Sequence, residues 1–202
     1  GKTLLRGHEE DLSYRMRAYA AAASDARMNG CEMPVVINSG SGNQGITSSV
    51  PVIVCARATG RSHEELLRAL AVANLVTIHL KTGIGRLSAY CGAVSAGCGA
   101  AAGLAYLQGG DYDTVAHTVV NTVAMDSGII CDGAKASCAA KIAAAVDAGL
   151  LGLAMYRSGN QFFGGDGIVK KGVENTIDNV GRLARLGMRR TDEEILDIMV
   201  GR

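Results

Sequence analysis

Cys91, Cys131 and Cys138 are the residues of this chain best suited to metal chemistry. Cys91 closes the run Gly85-Arg86-Leu87-Ser88-Ala89-Tyr90-Cys91-Gly92, and the other two share Cys131-Asp132-Gly133-Ala134-Lys135-Ala136-Ser137-Cys138. Three thiolates are one fewer than the four that close a structural zinc or iron–sulfur site. A metal held by three keeps one position open, where it can act on a substrate as a Lewis acid. The chemistry would then be that of a lyase. The long gap between Cys91 and Cys131 matches no local metal motif, so spacing alone does not establish the site. Cys131 precedes an Asp-Gly turn at an expected helix start, a position that lowers a thiol pKa. Cys138, two turns on, falls on a similar azimuth. Cys55 and Cys98 sit in apolar or small-residue runs and read as packing residues. Cys31, beside Gly30, reads either way.

A second candidate is the loop Ser39-Gly40-Ser41-Gly42-Asn43-Gln44-Gly45. Its glycines leave backbone N–H groups uncovered, and it precedes an apolar helix whose N-terminus attracts anions. A carboxylate or phosphate would sit there, with Ser39, Ser41, Asn43 and Gln44 as polar contacts. The loop is neither a Walker loop nor a dinucleotide fingerprint. Lys81, Arg86, Lys135 and Lys141 are the cationic candidates, Lys141 reading most simply as a solvated helix end. His79, two residues before Lys81, is a possible general base, although a lone His on an apolar helix is more often a satisfied core residue.

Helices must position these groups. His8 to Asn29, Ile46 to Thr59, Ser62 to Lys81, Leu87 to Gln108, Asp111 to Met125, Ala134 to Tyr156, Val173 to Leu186 and Asp192 to Val200 all read as helical. Ser62-His63-Glu64-Glu65 and Thr191-Asp192-Glu193-Glu194 are capping boxes. Pro51 falls in the expected first turn of its helix, and Gly149 and Gly152 mark a possible kink. Met33 to Asn38 is the one strand-like run, and Arg157 to Lys171 reads as an irregular excursion. No linker or repeat divides the chain. The expected fold is all-α, a single compact domain of tightly packed Ala/Gly-rich helices over residues 1–202.

Composition excludes several classes. The formal net charge of +1 gives no case for nucleic acid or an acidic membrane surface. Aromatics are 4 % with no Trp, so base-stacking platforms are not expected. Leu87 to Gly110 carries no charge and is long enough to span a bilayer, but its Gly, Ala and Ser content drives insertion weakly, and it reads as a buried central helix. The start, Gly1-Lys2-Thr3-Leu4-Leu5-Arg6, has no following apolar run of a signal peptide. Six cysteines without a secretory context favour free thiols in a reducing, cytoplasmic setting.

Three segments in order, Asn38 to Ile46, Lys81 to Gly92 and Gly128 to Cys138, resemble the iron–sulfur L-serine dehydratase alpha-chain family, and most closely its L-cysteine desulfidase branch. Asp166-Gly167-Ile168-Val169, Glu174-Asn175-Thr176-Ile177 and Gly187-Met188 follow the same pattern, so the resemblance covers essentially the whole chain. It implies a [4Fe–4S] cluster on Cys91, Cys131 and Cys138. It also implies α,β-elimination from a small L-amino acid, with L-serine or L-cysteine yielding pyruvate and ammonia, and hydrogen sulfide from cysteine. The loop residues with Gly40, Gly42 and Arg86 would bind substrate, and Lys81 or His79 would act in catalysis. Where the dehydratases proper have Cys-Asp-Pro, this chain has Cys131-Asp132-Gly133. Family members also carry an N-terminal half with a Gly-Cys-Thr-Glu-Pro segment that is not found here, and the chain lacks an initiator Met. The expectation is therefore the C-terminal, cluster-binding portion of a longer protein, inactive alone and able to lose its cluster. It would be partnered by that N-terminal half or by another subunit, and be homo-oligomeric. The alternative is a cluster-free helical domain that binds a small carboxylate or assembles with a partner subunit.

Overall fold

The structure, a computed structural model, describes residues 1–202. Its helices are α1 (Lys2–Leu5), α2 (Leu12–Met28), α3 (Gly42–Ala58), α4 (His63–Ile84), α5 (Gly92–Leu107), α6 (Tyr112–Asp126), α7 (Cys138–Arg157), α8 (Val173–Arg182) and α9 (Arg189–Val200), with a π-helical turn at Leu183–Gly187. Local signals start three of them. Asp11 accepts from the amides of Ser13 and Tyr14, Ser62 and Glu65 form the expected capping box, and Asp111 accepts from the Thr114 amide.

The centre of the fold is α5, which has no charged residue and is buried along almost its whole length. Around it pack α4, α7, α3 and α6; α2 lies against α7 and α3, and α8 against α4 and α6. Small residues make these contacts close. A Cβ at Gly99 would lie 2.0 Å from Thr77 Oγ1 and 2.4 Å from the Ala73 carbonyl of α4. A Cβ at Gly97 would lie 2.6 Å from the Ala145 carbonyl of α7. Gly149 and Gly152 do not interrupt α7. They are where α5 and α6 press against it, a Cβ at either meeting Ala101 or Thr122 within 3 Å.

Several boundaries differ from the sequence expectation. The run Met33 to Asn38 forms no strand; only Asn38 pairs back, with Ser41. Helix α3 opens inside the glycine-rich loop at Gly42, which places Pro51 in the helix interior instead of its first turn. Helix α5 begins at Gly92 rather than Leu87. Residues 89–91 pair instead with 129–131, through Cys91 N–H to Ile129 O at 3.1 Å and Cys131 N–H to Ala89 O at 2.6 Å. This long-range pairing satisfies backbone groups that a helix would otherwise satisfy locally. It also holds Ala134 to Ser137 in a loop, so that α7 starts at Cys138. Thr191 caps nothing: α9 begins at Arg189, because the π turn carries the chain from α8 almost without a break. At 16 residues α5 is shorter than a membrane span, while α7 is long and apolar enough to be one by length and composition. In this fold α7 packs on α2, α5 and α6, and its two charged side chains before Arg157, Lys141 and Asp147, pair with Asp132 and Arg17.

The last residue of α6, Asp126, is buried with one carboxylate oxygen lacking a partner, and burial raises its pKa to about 7.

Two outcomes follow from this packing. Gly99→Ala forces α4 and α5 apart and should lower unfolding free energy in urea by about 2–3 kcal/mol, the scale of overpacking; Gly128→Ala, with open space around its Cβ, should change it little. Equal stability of the two variants would refute the close-approach account. Asp126 binds its proton more tightly folded than unfolded, so stability should fall as pH rises from about 4 to about 7. Asp126→Asn should flatten that slope in thermal melts, by up to a few kcal/mol.

Candidate functional site

Three helix N-termini meet at one cavity of about 600 Å³. Ser41 is the N-cap of α3, Cys91 the N-cap of α5, and Cys138 the first residue of α7; all three line the cavity. None of these three helices has a capping side chain on its first amides. The positive ends of three macrodipoles therefore face the same space, and the first amides of α3 are left without a partner; those of α7 donate to the carbonyls of Lys135, Ala136 and Ser137.

The loop is shaped by a tight reversal. Asn38 and Ser41 exchange both backbone hydrogen bonds, at 3.1 and 3.0 Å, and between them Ser39 (φ +50°) and Gly40 (φ +87°) lie in the left-handed region. This is the two-residue hairpin turn of the primed kind. Ser39 is the one non-glycine residue of the chain with positive φ. The turn is tied down by Asn38, whose Nδ2 donates to Asn74 Oδ1 (2.8 Å) on α4, while Ser39 Oγ donates to Asn38 Oδ1. Gly45 is indispensable to this geometry: a Cβ there would lie 1.8 Å from the Val36 carbonyl. At Gly42 a Cβ would meet the Arg27 guanidinium, which reaches over from the end of α2 and donates to Asn43 Oδ1 at 3.2 Å. The Gln44 carboxamide packs on Gly92, at the start of α5, with its oxygen lacking a donor.

Cys91, Cys131 and Cys138 all line the cavity. The 89–91/129–131 pairing brings the Cys91 and Cys131 thiols side by side. Accepting from Cys91 lowers the Cys131 pKa to about 6, aided by the Gly133 amide and Lys141, while Cys91, the donor and the more buried, is pushed up. Cys138 accepts from the Lys135 amide at 3.5 Å. The three thiols share a wall but do not converge on one point as ready-made ligands. The azimuth argument linking Cys131 to Cys138 fails, because Cys131 is not on α7; pairing with residues 89–91 is what places it. Cys55 and Cys98 are buried in the core and Cys31 is exposed, all three away from the cavity.

The cavity lining is cationic. Arg27, Lys81, Arg86 and Lys141 border it, and no carboxylate does. Lys81 is only 5 % exposed; burial lowers its pKa, opposed by the nearby Cys131 and Cys91 thiols. Lys141 is no solvated helix end: it pairs with Asp132, and this pairing together with the thiols raises its pKa in spite of burial. Lys135 is exposed beside Cys138. His79 lies elsewhere. Two residues from Lys81 on α4, it faces outward and meets Glu174 Oε2 of α8 at 2.7 Å, in a groove separate from the cavity. Sequence reasoning missed Arg27, Asn38 and Asn74. Arg27 and Asn74 belong to no motif and are brought in only by the packing of α2 and α4 against the loop, while Asn38 stood in a matched segment without a role assigned to it.

The family profile described as serine dehydratase alpha chain matches residues 1–197. A UPF0597 protein of Desulfitobacterium hafniense is 62 % identical over 200 residues, covering 99 % of this chain and 46 % of its own length. UPF0597 proteins of Lachnoclostridium phytofermentans and Treponema denticola are each 54 % identical, over 99 % of this chain and 48 % of theirs. The chain belongs to the serine dehydratase alpha chain family. It spans about half the length of the curated relatives it matches. No solved structure matches it.

The thiols are distinguishable by reactivity. Only a thiolate alkylates readily, so iodoacetamide should modify Cys131 first, with a rate that rises through about pH 6 and levels above it. Cys91 should lag at every pH. Peptide mapping that found Cys91 leading, or a Cys131 rate still climbing at pH 9, would refute the hydrogen-bonded pair.

Proposed function

We propose that this cavity is the catalytic centre of an amino-acid lyase that removes a β-substituent from a small L-amino acid. L-cysteine would give pyruvate, ammonia and hydrogen sulfide; L-serine would give pyruvate and ammonia. The observation that carries this reading is the meeting of three uncapped helix N-termini, the Ser39–Gly45 loop, three thiols and a buried lysine on one space.

The donor set suits a [4Fe–4S] cluster in kind. Three cysteines face one cavity, one of them already prone to ionise near neutral pH, and Arg27, Arg86 and Lys141 offset the charge of thiolates. Loading would part the Cys91–Cys131 contact. When bound, such a cluster held by three cysteines supplies one open iron as a Lewis acid. The rest falls to the chain. The loop amides and the α3 N-terminus hold the substrate carboxylate, with Arg86 adding a charge-assisted bond. Lys81, whose burial favours the neutral amine, is placed to take the α-proton. Loss of the β-group then leaves an enamine, which tautomerises to the imine and hydrolyses to pyruvate and ammonia. His79, paired with Glu174 outside the cavity, has no part in these steps.

The test is anaerobic reconstitution with iron and sulfide of the chain joined to the other half of a full-length relative, followed by pyruvate assays on cysteine and serine side by side. About four irons per chain are expected. Cys131→Ala should abolish stable iron binding, whereas Cys98→Ala should leave it unchanged. Lys81→Met should keep the iron and lower kcat by at least about 100-fold, the scale of a lost general base. Absence of iron in the wild-type chain, with retained binding of a small carboxylate, would favour the cluster-free helical domain instead.

A further inference from the structure

We infer that the apolar rim beside the cavity mouth is the docking surface for the part of the relatives' length that this chain does not match. The inference rests on the lyase reading only for the cavity's importance, not for the surface itself.

Val36 is 86 % exposed, Ile37 65 % and Leu87 96 %. Leu75 and Ile78 are exposed on α4, and with Thr82 they share one face of it. Ile37 and Ile78 line a depression of about 490 Å³ together with Ser39, Gly40, Lys81 and Arg86. Those last four residues also line the main cavity, and Leu87 borders it. The apolar surface is therefore continuous with the site and sits at its edge. Single exposed apolar residues need no explanation, but a cluster of them beside a functional cavity marks an interaction surface.

The occupant follows from chain length. Curated relatives that match 99 % of this chain devote only 46 to 48 % of their length to the match. The other half of those proteins must pack somewhere, and domain interfaces use exposed apolar patches of this kind. The depression contributes the Arg86 guanidinium and no acid. The occupant should therefore present apolar side chains edged by carboxylates, and its seating would narrow the cavity mouth.

The experiment compares amide hydrogen exchange in two proteins. One is the 202-residue chain; the other is a full-length chimera in which this chain replaces the matched part of the Desulfitobacterium hafniense relative. Peptides covering Met33–Ile37 and Leu75–Leu87 should exchange at least tenfold more slowly in the chimera, with α9 peptides unchanged. Val36→Asp with Leu87→Asp should reverse that protection while circular dichroism stays the same. As an independent readout, the two halves co-expressed as separate chains should co-purify, and the double variant should not. Protection at α9 alone, protection nowhere, or co-purification indifferent to the double variant would overturn the assignment. So would rim protection that appears in the 202-residue chain and grows with its concentration, which would mean a second copy occupies the rim. Pyruvate formation is scored separately, so a failed docking surface and a failed lyase reading give different results.

Discussion

The structure depends on how closely other helices can approach α5. Its uncharged, small-residue surface lets α4 and α7 come within backbone contact, and the glycines at 97 and 99 are what remove the intervening side chains. Dispersion contacts made at that distance are many and individually weak, so the core gains from closeness rather than from large side chains. The arrangement has a polar consequence at one end. Because α3 and α7 both pack against α5, their first turns are gathered around its own, and the cavity forms where the three begin.

That gathering sets the electrostatics. Away from the cavity, α2, α4 and α6 spend a side chain on their first amides. At the cavity the three helices have no capping side chain, and Arg27, Arg86 and Lys141 add to the positive potential. A space with this much donor and cationic character is costly to leave without an anion. The thiol pair answers part of that demand, since the lowered Cys131 pKa puts negative charge there near neutral pH.

Much of this was legible in the sequence, and the failures have a common cause. The all-α fold, the capping box at Ser62, and the packing roles of Cys55 and Cys98 rest on local pattern and burial, which the chain displays openly. The loop Ser39–Gly45 and Cys91, Cys131 and Cys138 were visible as residue types. Their juxtaposition was carried by resemblance, because the pairing of 89–91 with 129–131 joins segments far apart in the chain. The same pairing explains why Leu87 to Cys91 looked helical and is not: an uncharged run cannot say which backbone partner it will find. His79 and Lys81 show the limit most sharply. Two residues apart on one helix, they point to different faces, and only the tertiary packing tells which of the two is buried against the thiols.

The tie between Asn38 and Asn74 has a kinetic meaning. It fastens the Ser39–Gly40 turn to α4, the helix that also carries Lys81, so loop and amine belong to one rigid body. A ligand arriving there meets groups already at their working separation, and little of its binding free energy is lost to ordering the chain. A small molecule would then be captured there without a folding step of the chain. The selectivity of such a capture would be set by shape and charge at first contact, and any slow step would follow capture rather than precede it.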